Sequence, residues 1–116
     1  MTIRYKNQGF KQASTGKPTV LTCPNSATII IKSMYVANND ASSAILVNMN
    51  LVDSSDSNTE YEFFRDDVAA KTQVNATPQG INLEAGDSIT VTAASGSNKI
   101  QGAISYAQLD RSQENG

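Results

Sequence analysis

Hydrophobic and polar residues alternate along most of this chain with a period of two. In residues 44–53, Ile45, Val47, Met49 and Leu51 fall on one face, while Leu46, Asn48, Asn50 and Val52 fall on the other. That second face is half polar, as expected of a strand with one wetted side. Residues 88–93 repeat the pattern, with Ile89, Val91 and Ala93 turned inward and Ser88, Thr90 and Thr92 outward. Residues 28–38 are β-branched and apolar on both faces, which predicts a central strand. Residues 99–109 place Ile100, Ile104 and Tyr106 on one face and Ala103, Ala107 and Leu109 on the other. Shorter candidate strands lie at 2–6, 19–23, 60–65 and 72–76. Helical periodicity is nowhere sustained, and Asp66–Lys71 has room for a single turn of helix at most.

Turn clusters separate these runs at Asn38–Ser43, Asp53–Thr59, Thr77–Gly80, Ala85–Asp87 and Ser95–Asn98. The last reads as a hairpin loop with Gly96 at positive φ. About eight short strands at this spacing predict an all-β fold, an antiparallel β-sandwich of jelly-roll type. Residues 1–18 differ in being polar and basic, with Gly9, Gly16 and Pro18. They read as a short N-terminal arm carrying one strand, ahead of a single sandwich domain at 19–116 with a polar C-terminal tail. A chain of 116 residues buries about two-thirds of its unfolded surface, enough for a core without a staple.

Composition narrows the chemistry. The chain has no histidine, which removes Ser-His, Cys-His and imidazole–metal sites together. The single Cys23 cannot make an internal disulfide. It precedes Pro24 at a strand end and, with no base to activate it, reads as a small buried hydrophobe rather than a nucleophile. There is no tryptophan, and the net charge is −2, so no nucleic acid is expected as a partner. Apolar runs such as Ile29–Ile31 are too short to span a bilayer, and Met1–Lys6 has no apolar signal core. Neither a membrane nor secretion is expected.

Charge is segregated. Residues 1–39 carry Arg4, Lys6, Lys11, Lys17 and Lys32 without an acid, whereas the remainder carries eleven acids against Arg65, Lys71, Lys99 and Arg111. Two readings are open: contact between copies through complementary ends, or a solvated surface whose signs happen to separate. The acidic run Asp53, Asp56, Glu60, Glu62, Asp66 and Asp67 offers oxygen ligands for Ca²⁺. Its spacing is not that of an EF-hand loop and the turn glycine is absent, so no metal or other cofactor is expected. Asp66 and Asp67, as neighbours in a strand, would point to opposite faces and make a poor acid/base pair. Asn75-Ala76-Thr77 matches a glycosylation acceptor, without a secretion signal to give it meaning. No enzyme is predicted. The adjacent rings of Phe63 and Phe64 must take opposite faces of a strand. With Tyr61 they read as a sugar-binding shelf, as an intersubunit contact, or as one core ring and one rim ring.

Four segments, Ile3–Asn7, Ile31–Asn38, Leu83–Val91 and Ile104–Tyr106, resemble in their order the small virion structural proteins of tailed bacteriophages, including cyanophages. Leu-x-Ala-Gly-Asp-x-Ile-x-Val recurs in many jelly rolls, because Gly86 makes the turn and Asp87 can bond the loop backbone. The resemblance implies a non-catalytic sandwich that works in several copies on the particle. On it rests the expectation of a capsid decoration (cement) protein, a homotrimer in contact with itself and with the major capsid protein or another virion protein. A tail, neck or baseplate component is the alternative, and a carbohydrate-binding attachment module a further one. The residues expected to bind partners are Arg4, Lys6, Phe10, Lys11, Lys17, Phe63, Phe64 and Arg111.

Overall fold

A computed structural model describes residues 2–11, 16–77, 80–94 and 98–110. Nine strands are found among them: β1 (Thr2–Lys11), β2 (Thr19–Thr22), β3 (Ala27–Asn38), β4 (Ile45–Asp53), β5 (Thr59–Val68), β6 (Thr72–Asn75), β7 (Ile81–Leu83), β8 (Ser88–Ala93) and β9 (Ile100–Asp110). All strand pairings are antiparallel. The first sheet runs β1-β9-β3-β6, with β7 also paired to β3, and the second runs β2-β8-β4-β5. The molecule is therefore an all-β sandwich of jelly-roll type.

The core lies between the sheets and follows the alternation of the sequence. Ile29, Ile31, Met34 and Val36 of β3 and Ile100 and Ile104 of β9 meet Ile45, Val47 and Met49 of β4 and Ile89 and Val91 of β8, all buried. Each such side chain contributes roughly 1.5–3 kcal/mol on burial. In β3 the phase shifts at a bulge between Ile31 and Ser33. The extra residue returns Met34 and Val36 to the core side after Ile29 and Ile31.

Several boundaries differ from the sequence reading. The arm's strand covers ten residues rather than 2–6, since β1 pairs with β9 from Thr2↔Asp110 to Lys11↔Gln101. Nearly every β1 side chain is exposed, so no alternation marks its length. Asp66–Val68 continue β5 instead of turning into helix, because Val68 fits against Ile45 in the core. The ninth strand, β7, has three residues, too few for a period to register. The hairpin loop around Gly96 and the tail beyond Asp110 lie outside the described residues.

Polar groups pin the turns. Asn38, fully buried, donates from Nδ2 to the carbonyls of Ser43 (2.9 Å) and Val68 (2.8 Å) and accepts from Asp40 N (2.8 Å). Asp87 accepts from Glu84 N (3.0 Å), Ser54 N (3.0 Å) and Ser54 Oγ (3.1 Å), as its place in the loop implied. Gly86 turns with φ 84°, and a Cβ there would meet Ser54 Oγ at 2.8 Å.

Candidate interaction surface

The outer face of the first sheet can be read row by row from its register. Moving along β1, β9 and β3, the rows are Ile3–Leu109–Thr28, Tyr5–Ala107–Ile30, Asn7–Ser105–Ser33 and Gly9–Ala103–Tyr35. Residues opposite one another share a face. This face therefore gathers Ile3, Tyr5, Ile30 and Tyr35, which are 54, 76, 41 and 46% exposed. Ala107 stands between Tyr5 and Ile30, Ala103 between Gly9 and Tyr35, and Leu109 beside Ile3. Lys32, the extra residue of the β3 bulge, holds Nζ 5.4 Å from the Tyr5 ring centroid, a cation–π contact. Several large apolar side chains gathered on one sheet face mark a surface suited to a partner rather than to water alone.

The second sheet presents the opposite character. On its outer face Asn48 Nδ2 donates to Glu62 Oε1 (2.7 Å), Arg65 Nε donates to both Glu62 oxygens (3.1 Å each), and Asn50 Nδ2 donates to Glu60 Oε1 (3.3 Å). Asp66 and Asp67 lie opposite Val47 and Leu46 and thus on opposite sides of β5, as expected. The charge division of the sequence thus becomes a division of the fold: four of the five early cations lie on β1 and β3, and four of the acids on β5.

The expected partner-binding residues do not gather into one patch. Arg4 is exposed but ion-paired to Asp110 (2.7 Å). Lys6 stands above a shallow groove shared with Thr19–Thr22, Pro24 and Tyr106. Phe10 is half-buried against the core, its ring over Gly102. Lys11 is exposed at the end of β1. Lys17, two residues ahead of β2, donates to Glu60 of β5 in the same second sheet (2.8 Å). Phe63 and Phe64 occupy a β5 bulge opposite Met49–Asn50. The bulge breaks strict alternation, and both rings pack partly buried against the core. Of the three rings weighed as a sugar shelf, Tyr61 alone is exposed, and its hydroxyl donates to Asp56 (2.6 Å). Arg111 lies outside the described residues.

The apolar face was missed because a strand with two apolar faces reads as buried on both. The one signal available was Ile30 and Tyr35 in β3, together with Ile3 and Tyr5 at the spacing of a strand.

Electrostatic effects are those of structural contacts. Gln108 Nε2, donating to Asp110, and the Arg4 guanidinium hold the Asp110 carboxyl below the ordinary range. Backbone N–H groups of Ser42 and Ser43 do the same for Asp40. The bond to Asp56 raises the Tyr61 hydroxyl, and burial raises that of Tyr106. In the acidic loop, Asp53 accepts from Ser55 N (3.0 Å) and Oγ (2.7 Å), so its oxygens serve the turn. Among the described residues no three acidic or thiol side chains converge as metal ligands.

No family model matches the chain, and no curated protein does so. Solved structures share its fold. A chain of the acid-stable capsid of Helicobacter pylori bacteriophage KHP30 superposes with a TM-score of 0.59 at 13% identity, covering 94% of this chain and 88% of that one. A chain of the disulfide-linked pili of Bacillus endospore appendages gives 0.54 at 9% identity, covering 94% and 87%. A chain of the T13 viral particle of IBDV gives 0.55 at 8% identity, and there this protein covers 94% of itself but spans only 31% of that chain. At such identities the likeness establishes the sandwich fold.

Proposed function

We propose that this protein is a non-enzymatic structural component of a phage virion, a decoration protein that seats on the capsid as a homo-oligomer, with a cyclic trimer as the expected form. The observation that carries this reading is the exposed apolar face of Ile3, Tyr5, Ile30 and Tyr35, opposite a second sheet whose outer face carries Glu60, Glu62 and Arg65. A face of this kind serves adhesion: its depression beside Tyr35, Gln101 and Ala103 is open to solvent. Exposed Lys11 and Lys32 border it and would meet acidic groups of the shell. The jelly-roll likeness to a phage capsid chain and to a pilus chain supports a structural role.

The mechanism is mass action. A partner that binds only the assembled shell stabilises it by RT ln(1 + [L]/Kd) per site. Repetition over many sites makes modest affinity per copy sufficient. A plug at three-fold positions takes cyclic symmetry.

The test is the copy number of this chain in purified particles, measured for the native protein and for Tyr5→Ser/Ile30→Ser. Both side chains are exposed, so the variant should keep the melting temperature of the parent and lose its place on the particle. A copy number scaling with shell area supports decoration, and a small ring number points to neck, tail or baseplate. Full incorporation of the variant refutes the seating face.

A further inference from the structure

Two ten-residue strands, β1 and β5, end their sheets with one neighbour each among the described strands. They stand on opposite flanks of the sandwich, since β1 lies against β2 while β5 lies against β6. The outer side of each faces no other strand among the described residues, and a sheet edge of this kind is a template for another strand. Their charges are opposite: β1 carries Arg4, Lys6 and Lys11 and no acid, while β5 carries Glu60, Glu62, Asp66 and Asp67 against Arg65 alone.

We infer that the β1 edge of one copy pairs with the β5 edge of the next, joining the first sheet of one molecule to the second sheet of its neighbour. Charge decides between the pairings open to these edges. Pairing β1 with β1 brings three cations to three with no acid on either strand, and β5 with β5 brings four acids and one arginine to the same. Antiparallel registers centred on Tyr5 or Tyr61 set Arg4 opposite Lys6 or Glu60 opposite Glu62. Like charges directly opposite are destabilising, so both symmetric dimers are disfavoured. In the mixed pairing, Arg4 and Lys6 share the spacing of Glu60 and Glu62, two residues along one face. Whether the strands run parallel or antiparallel, a register exists that sets each cation beside an acid. Arg4, Glu60 and Glu62 are 54, 39 and 37% exposed, and each is engaged within the chain, by Asp110, Lys17 and Arg65 in turn. Exposed pairs of this kind are weak, so the edge contact extends or exchanges them. Because the two edges differ, the contact is heterologous and repeats from copy to copy until it closes into a ring or extends as a filament.

Charged edges are also a common device for keeping a sandwich monomeric, and a charge-swap experiment separates the two. The native chain, Arg4→Glu/Lys6→Glu and Glu60→Lys/Glu62→Lys are each measured by light scattering across a concentration series, with thermal unfolding checked in parallel. The first variant has two acidic edges and the second two basic ones. The native chain should give a multiple of 12.4 kDa, each variant alone a monomer, and an equimolar mixture of the two should return to the native multiple. Should either double variant unfold, Lys6→Glu and Glu62→Lys repeat the scheme with one change per edge. A native chain that stays monomeric, variants that assemble like it, or a mixture that remains monomeric would each overturn the pairing. The inference deepens the homo-oligomeric reading above but not its placement on the particle. A monomer that still decorates particles would leave the seating face standing and remove the edge contact alone.

Discussion

Replacing Gly102 with alanine is a severe change for one methyl group, and its cost can be worked from the fold. Gly102 lies in mid-β9, opposite Phe10 of β1 and Val36 of β3. A Cβ there would collide with the Phe10 ring and with the Tyr35 carbonyl oxygen. The backbone has little freedom to retreat, because β9 is paired on both sides along most of its length. The phenyl ring must therefore leave its seat over the glycine, an arrangement in which an aromatic covers a cross-strand gap, and the Tyr35 carbonyl must shift as well. Half the burial of a phenylalanine is worth about 1.5 kcal/mol, and residual overpacking adds roughly 1–3 kcal/mol. The lower chain entropy of alanine offsets about 0.5–1 kcal/mol. The net loss is about 1.5–4 kcal/mol, or a fall in Tm of roughly 5–20 °C for a domain of this size. Urea titration followed by circular dichroism reads it as a lower midpoint at constant slope. Gly9→Ala is the control, since its new Cβ would meet nothing nearer than Gly102 O at 3.8 Å and should change stability by less than about 0.5 kcal/mol. In a Phe10→Ala background the cost of Gly102→Ala should shrink, because the ring is already gone. If Gly102→Ala is as harmless as Gly9→Ala, neither the Phe10 ring nor the Tyr35 carbonyl approaches Gly102 as the packing puts them.

Two further outcomes follow from the buried and paired polar groups. Asn38→Leu strands the carbonyls of Ser43 and Val68 and the amide of Asp40, and should cost about 3 kcal/mol by thermal melting. Asp110 is held below the ordinary carboxylate range by Gln108 and Arg4, so the folded chain takes its proton less readily than the unfolded one. Its contribution is complete above the unfolded value and is lost as pH falls through the depressed folded one. Asp110→Asn should therefore lower Tm at neutral pH and narrow its gap from the parent in acid, and a gap that does not change with pH would contradict the assigned bonds.

The strands with one wet and one dry face were legible because burial writes a period of two into them. β4 and β8 keep the faces read from their alternation. Where both sides of a strand meet the same environment, the period vanishes. β1 is exposed on both sides, so its second half carried no signature. In β3 the chain is apolar on both sides, yet one side is open, and a single sequence cannot distinguish a face covered by its own chain from one left for another molecule. The cations of the candidate surface were legible as residues, but their engagements were not. Arg4 meets Asp110 and Lys17 meets Glu60 only through pairings made by strands far apart in the chain. The two phenylalanines of β5 were assigned to opposite faces by an alternation that the bulge suspends.

Cys23 is 1% exposed, with Sγ turned toward the Ala27 carbonyl oxygen (3.3 Å). A sulfur so enclosed is out of reach of its counterpart in a second copy, so any cohesion between copies is indifferent to oxidant or reductant. The same enclosure makes the thiol an intrinsic clock: a maleimide added to the native protein reacts only as fast as the sandwich opens.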